Sequence, residues 1–369
     1  MTINPKIRTL ALVALLALTA SRAGAEELKA EPLDAYRARM QWFAEAQYGM
    51  FIHFGLYSVL GGEWKGQRAS WYSEWIQATK KITREEFAPL IHEFNPVEFD
   101  AQFLAATAKK AGMKYLVITA KHHDGFCLWD SAYTDFDVGG SPFKGRDILK
   151  ELKDACARHG LRYGIYYSII DWHHPTQTPS MKGETPMRSH GQTMLREGGK
   201  AEYVEFMTQQ VLELIKNYEP ALLWFDADWV NWWTLEDGIT LYNTIRAADP
   251  NIIVNNRVAK RNAFDLDYVT QEQTHFSKAF NKHWEGCYTM NGSWGYHRHD
   301  RKWKSAKVVY NKLKDINEKG GNLLLNVGPD ARGVVQPEAL AILQETAELL
   351  KANPIRKIVP EIKQTPGTR

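Results

Sequence analysis

Ala221-Leu222-Leu223-Trp224-Phe225-Asp226-Ala227-Asp228-Trp229 is a short apolar run that ends in two carboxylates set among tryptophans. It reads as a buried strand. Side chains on a strand alternate between faces, so Leu222, Trp224, Asp226 and Asp228 share one side while Leu223, Phe225 and Ala227 share the other. One face packs helices and the other looks into a pocket.

Seven more runs of this kind punctuate the chain: Gly49–Gly55, Lys114–Lys121, Arg162–Ser168, Asn251–Arg257, Asp267–Gln273, Trp284–Met290 and Asn322–Pro329. Between several of them the apolar positions recur at helical spacing. In Phe99–Met113, Phe103, Leu104, Ala108 and Ala111 form one stripe; in Arg146–Arg158, Ile148, Leu149, Leu152 and Ala155 do the same. Gly112 and Gly160 mark the ends of these two helices. Further helices are expected at Ala201–Asn217, Leu235–Ala248, Trp303–Lys319 and Pro337–Ala352, the last with proline at its start, where the missing N–H costs nothing.

Eight strands alternating with helices predict an α/β fold of the (β/α)8 barrel kind, because right-handed crossovers return each strand parallel to the last. An open doubly wound sheet is the alternative, but no Gly-x-Gly-x-x-Gly turn follows the first strand. Residues 56–113 make a long first connection carrying Trp64, Trp71, Tyr72 and Trp75, the type of insertion that shapes a barrel's active site. Residues 173–200 read as a surface loop.

The N-terminus reads as a secretory leader over residues 1–25. Lys6 and Arg8 precede an uncharged apolar stretch from Leu10 to Ala20, and Ala23-Gly24-Ala25 offers a small-x-small cleavage site. Residues 26–369 are then one catalytic barrel domain, expected to be exported to a periplasm or out of the cell, soluble and without a membrane span. Removing Lys6, Arg8 and Arg22 takes the net charge from +3 to zero, with 43 basic side chains against 43 acidic. Bases and acids are interspersed, which argues against a nucleic-acid partner. The three cysteines, Cys127, Cys156 and Cys287, are odd in number and far apart, so no disulfide framework is implied.

Polar groups collect where the strands should end: His53; His122, His123 and Asp124; Tyr167; Asp226 and Asp228; Arg257; Glu272. Adjacent histidines on a strand face opposite ways, and no His-x-His, His-Glu-x-x-His or Cys-x-x-Cys pattern occurs. Neither a metal nor another cofactor is expected. The Asp124-Gly125 turn is expected to bring both histidine rings to the rim, where they donate hydrogen bonds to hydroxyls. Nucleophilic-serine and phosphate-loop motifs are absent. What remains is carboxylate chemistry beside indole walls, the furniture of a sugar pocket.

Seven segments in order carry a family resemblance. They are Gly49-Met50-Phe51-Ile52-His53-Phe54-Gly55-Leu56-Tyr57-Ser58, Glu74-Trp75, Phe94-Asn95-Pro96, Lys121-His122-His123-Asp124-Gly125-Phe126, Trp224-Phe225-Asp226, Asn255-Asn256-Arg257 and Asn322-Leu323-Leu324-Leu325-Asn326-Val327-Gly328-Pro329. Together they resemble the α-L-fucosidases of glycoside hydrolase family 29 across residues 35–352. The resemblance implies a retaining exo-glycosidase that releases terminal α-L-fucose from a glycan or glycoconjugate, built on an irregular (β/α)8-like barrel. It assigns Asp226 as nucleophile, and His53, Glu74, Trp75, His122, His123, Tyr167, Trp224 and Arg257 as sugar-binding residues. Glu272 is the preferred acid/base, since it leaves its run at the catalytic rim, and Glu285 is the alternative. Trp75, Trp224 and Phe54 are candidates for an apolar patch under the sugar's methyl group.

Three departures from the family pattern stand out: Phe54 where many relatives have tryptophan, Asn256 where some have aspartate, and no C-terminal β-sandwich. The competing readings are a glycosidase for another L-configured sugar such as α-L-galactose, and a carbohydrate-binding barrel that has lost catalysis.

Overall fold

The computed structural model describes residues 27–177, 193–262 and 266–366. The leader expected at residues 1–25 lies outside them. So does most of the loop expected at 173–200; its described ends, Gln177 and Thr193, are buried.

Eight strands form one parallel sheet: β1 (Tyr48–Ile52), β2 (Tyr115–Lys121), β3 (Arg162–Ser168), β4 (Leu222–Asp226), β5 (Ile253–Val254), β6 (Val269–Glu272), β7 (Trp284–Thr289) and β8 (Asn322–Val327). Their order across the sheet is β5-β4-β3-β2-β1-β8-β7-β6, every pair parallel. A parallel bridge between Asn255 and Tyr268 joins the two ends and closes the ring. The fold is a (β/α)8-like barrel. Six of the strands are buried from end to end, or all but their first residue, which is why they read as continuous apolar runs.

The closure is irregular because β5 is only two residues long. Beyond it, side chains take over from the backbone ladder. Asn255 accepts from Phe225 N at 2.9 Å and donates to Phe225 O at 2.8 Å. On the other side Asn256 Oδ1 accepts from Thr270 N at 3.1 Å. Freed from the sheet, residues Asn256–Val258 wind into one 3-10 turn that carries Arg257 inward.

The helices are α1 (Leu33–Glu45), α2 (Ala101–Lys110), α3 (Ile148–His159), α4 (Lys200–Tyr218), α5 (Leu235–Ala248), α6 (Ala306–Glu318) and α7 (Pro337–Ala352). Side-chain oxygens cap several N-termini: Asp100 for α2, Asp147 for α3, a Thr234/Asp237 capping box for α5 and Ser305 for α6. Gly160 ends α3 in the left-handed region at φ 62°. Helix α1 has no counterpart in the sequence reading; it lacks a side-chain cap at Pro32. It plugs the N-terminal mouth of the barrel, where Tyr36, Met40 and Phe43 join Leu222, Trp224 and Leu324 in an interior cluster separate from the outer core. Inside, space is tight. A Cβ on Gly49 would sit 2.5 Å from the Tyr115 ring, so β1 needs glycine there.

Candidate active site

A cavity of about 620 Å³ opens at the carboxyl ends of the strands. The alternation in β4 runs as expected: Leu222 and Trp224 belong to the interior cluster, Leu223 and Phe225 to the outer core, and Asp226 reaches the cavity. Immediately after it, Ala227 adopts a left-handed φ of 72°, which breaks the strand and turns Asp228 toward Arg261.

Asp226 is held on both oxygens. Oδ1 accepts from Arg257 Nη1 at 2.6 Å and from Arg261 Nη2 at 3.3 Å, while Oδ2 accepts from the Tyr166 hydroxyl at 3.2 Å. Burial pushes its carboxyl upward, but the guanidiniums of Arg257 and Arg261 outweigh that and bring it down to about 2. It is ionised at neutral pH.

Glu272 ends β6 on the same rim and shares a donor with Asp226. The Nη1 that bonds Asp226 Oδ1 also bonds Glu272 Oε2 at 3.0 Å. Two oxygens at 2.6 and 3.0 Å from one nitrogen can be separated by no more than the sum of those distances. That limit lies close to the roughly 5–5.5 Å of a retaining carboxylate pair and short of the roughly 6.5–9.5 Å of an inverting pair. Arg257 is itself fixed by its Nε bond to Thr270 at 2.8 Å, and its guanidinium lies 4.6 Å over the Trp224 ring.

Glu285 sits elsewhere. As the second residue of β7 it pairs in register with Asn322 at the start of β8, deep in the interior and off the cavity wall. It accepts from the Tyr115 hydroxyl and, at 2.8 Å, from Trp224 Nε1. Burial raises its carboxyl to about 7.

His53, His122 and His123 all line the cavity. The two adjacent rings reach it together because the chain turns after β2: Gly125 N bonds His122 O at 3.1 Å, and Gly125 has a φ of 84°. All three are neutral at pH 7. Burial lowers His53 to about 3 and His123 to about 4, and holds His122 well below its usual value.

The direction of their hydrogen bonds differs from expectation. Asn326 Nδ2 donates to Trp294 O, which leaves Asn326 Oδ1 to accept from His53 Nδ1 at 2.6 Å. Ser168 Oγ donates to Ile170 O and so accepts from His123 Nδ1 at 2.6 Å. Both imidazoles therefore turn an unprotonated Nε2 toward the cavity as an acceptor for hydroxyls, not a donor.

Glu74 and Trp75 sit in a short 3-10 turn, Ser73–Trp75, inside the long first connection, and both line the cavity. Glu74 Oε2 accepts from Gly295 N at 2.8 Å, while its buried Oε1 has no protein partner. Burial raises this carboxyl to about 8, so it is protonated at neutral pH and can donate.

Two expectations are corrected. Tyr167 does not reach the cavity: its hydroxyl donates to Gln210 on α4 at 2.7 Å and Lys121 lies 4.4 Å over its ring. The cavity residue is Tyr166, which pairs in register with Trp224 and therefore shares its inward face. Phe54 likewise points outward, stacked on Phe99 with ring centres 5.8 Å apart, because the inward parity in β1 belongs to Phe51 and His53. Both errors vanish if register with Asp226 is followed strictly.

Cavity residues outside the expected set include Arg261, Trp71, Tyr72, Trp229 and Trp294. Trp71, Tyr72, Trp229 and Trp294 gave a compositional signal as surplus aromatics; Arg261, in a loop after β5, gave none. Among the described residues no three or more His, Cys, Asp or Glu side chains gather as a metal-binding group. No helix among them is long and apolar enough to cross a membrane. The three cysteines are buried and unpaired.

The family profile described as "Alpha-L-fucosidase" matches residues 15–354. Tissue alpha-L-fucosidase from Rattus norvegicus is 30% identical over 357 residues, covering 88% of this chain and 72% of the rat protein. Among solved structures, alpha-L-fucosidase isoenzyme 1 from Paenibacillus thiaminolyticus is 35% identical with a TM-score of 0.75, covering 86% of this chain and 76% of its own. Unliganded alpha-L-fucosidase AlfC from Lactobacillus casei is 33% identical with a TM-score of 0.75, covering 86% of this chain and 98% of its own. With sequence motifs, barrel and rim carboxylates in agreement with these relatives, the chain belongs to the α-L-fucosidase family.

Proposed function

We propose that this chain is an exo-acting α-L-fucosidase that removes terminal α-L-fucose from glycans or glycoconjugates by double displacement. The observation that carries the reading is the single Arg257 nitrogen bridging Asp226 and Glu272 at retaining distance. AlfC from Lactobacillus casei, the structural relative, has been solved with α-L-fucose product and with a 4-nitrophenyl-α-L-fucopyranoside substrate.

In the first step an Asp226 oxygen bonds the anomeric carbon as the glycosidic C–O bond breaks, and Glu272 passes its proton to the leaving oxygen. In the second, water attacks that carbon, the bond to Asp226 breaks, and Glu272 takes the water's proton. Arg257 and Arg261 favour the departing Asp226 carboxylate. Hydroxyls of the sugar donate to the Nε2 atoms of His53 and His123, protonated Glu74 donates to another oxygen, and Trp75 and Trp224 supply apolar wall.

Azide rescue with aryl α-L-fucoside tests the roles. Asp226→Gly with azide should yield the inverted β-fucosyl azide, and Glu272→Ala with azide the retained α-fucosyl azide. Rescue of Glu285→Ala to the retained azide, with none for Glu272→Ala, transfers the acid/base role to Glu285. Hydrolysis of aryl α-L-galactoside faster than of the fucoside overturns the substrate.

We further infer export, supported by the basic, apolar and small-residue order of residues 1–25. The family match begins at residue 15, inside that stretch. N-terminal sequencing of the protein from its native host should begin at Glu26; a start at Met1 or Thr2 contradicts it.

A further inference from the structure

Trp71 is half exposed, which is unusual for an indole not held against its surroundings by solvent exclusion. It is not a stray surface residue. It lines the same cavity as Asp226 and Glu272, and its ring stacks on Tyr72 with centres 4.4 Å apart and planes 21° apart. Its other aromatic neighbour is Trp75, 5.7 Å away. Backed by Tyr72, the indole is pre-set in orientation while an apolar surface is left to the solvent.

Its position relative to the two carboxylates gives that surface a purpose. The Asp226 side chain is 12% exposed and the Glu272 side chain 35% exposed. The nucleophile is thus deep and the proton donor stands at the mouth. A group that takes its proton from Glu272 leaves past Glu272, toward solvent. Tyr72 lies on that side, sharing a hydrogen bond with Gln273, the residue directly after Glu272. Gln273 is anchored in turn by its 2.9 Å bond to Thr289. The Trp71 platform therefore flanks the exit route of the leaving group and stands apart from the deep pocket of histidines.

We propose that Trp71, backed by Tyr72, is a stacking subsite for the pyranose ring to which the fucose is attached, making the enzyme selective for sugar leaving groups over small ones. The inference rests on the fucosidase reading of Asp226 and Glu272. An indole face matches the C–H face of a pyranose and has nothing comparable to hold in a fluoride.

The test compares kcat/KM for an α-L-fucosyl disaccharide and for α-L-fucosyl fluoride, which has no leaving ring, in wild type, Trp71→Ala and Trp71→Phe. Trp71→Ala should lower the disaccharide-to-fluoride ratio roughly tenfold, the size of one aromatic stacking contact. Trp71→Phe should restore most of it. Equal losses on both substrates, or a ratio unchanged by Trp71→Ala, overturn the subsite. Failure of the wild type to release fucose from the fluoride overturns the fucosidase reading and the subsite with it. Half exposure of Trp71 makes a folding defect a minor concern, and circular dichroism of Trp71→Ala checks it.

Discussion

Three carboxylates surround the reacting position within one barrel, and their environments push them to different tasks. Asp226 meets two guanidiniums and stays ionised. Glu285 is sealed against Tyr115 and Trp224 below the cavity, where it orients the indole that underlies Arg257. Glu272 alone combines rim position with access. Glu272→Gln should therefore lower kcat/KM on a disaccharide by roughly 10²–10⁴. Glu285→Gln keeps a hydrogen-bonding group at both contacts and should lose less than about tenfold, whereas Glu285→Ala strands two buried donors at about 1–3 kcal/mol each. Steady-state kinetics and thermal unfolding of the three variants separate these roles.

Glu74 gives a pH signature. Its carboxyl moves from a reference of 4.5 to about 8 on folding, so the native state holds a proton the unfolded chain has released. A raised acid contributes its stability below pH 4.5 and loses it as pH rises toward 8. Thermal stability of the wild type should therefore fall across that window more steeply than that of Glu74→Gln. Substrate affinity should also weaken above about pH 8 in the wild type, as a second negative charge appears near Asp226, and not in Glu74→Gln. KM profiles that rise in parallel for both proteins contradict the assignment.

At the scale of elements, the barrel's two ends are built differently. The N-terminal mouth is closed by α1, whose Phe43 packs 4.5 Å from Tyr268 and whose Arg39 pairs with Asp267 at 2.8 Å. Phe43→Ala should cost about 3–5 kcal/mol in denaturant unfolding. A cost under about 1 kcal/mol would mean that α1 is an appendage and not a plug. At the other end the short β5 hands its pairing to Asn255 and Asn256, which frees the turn that delivers Arg257.

Apolar runs announced all eight strands because a parallel sheet is covered on both sides, and helical stripes announced α2 to α7. What the chain's text concealed was anything set by side-chain substitution for backbone. The run Asn251–Arg257 looks like a full strand, yet only Ile253–Val254 pairs, since asparagine amides finish the ladder. Arg261 was hidden for the same reason: it acts from a loop whose path no periodicity encodes. Tyr166 was legible, had the alternation been followed through β3. Helix α1 was legible too, in the spacing of Tyr36, Met40 and Phe43, but lacked a capping residue to announce it.

At the scale of the whole molecule, the ring of strands works as a rigid frame that brings Asp226 from β4 and Glu272 from β6 to one guanidinium between them. The closing bridge at Asn255 and Tyr268 lies between those two strands, so the least regular part of the barrel is also where the two acids meet. The measurement that bears most directly on this arrangement is covalent trapping with 2-deoxy-2-fluoro-α-L-fucosyl fluoride. The fluorine at C2 slows both steps and the fluoride leaving group restores the first, so a glycosyl-enzyme accumulates. Peptide mass spectrometry should locate one fluorofucosyl adduct on Asp226, absent in Asp226→Asn. An adduct on Glu272, Glu285 or any other residue would contradict the account.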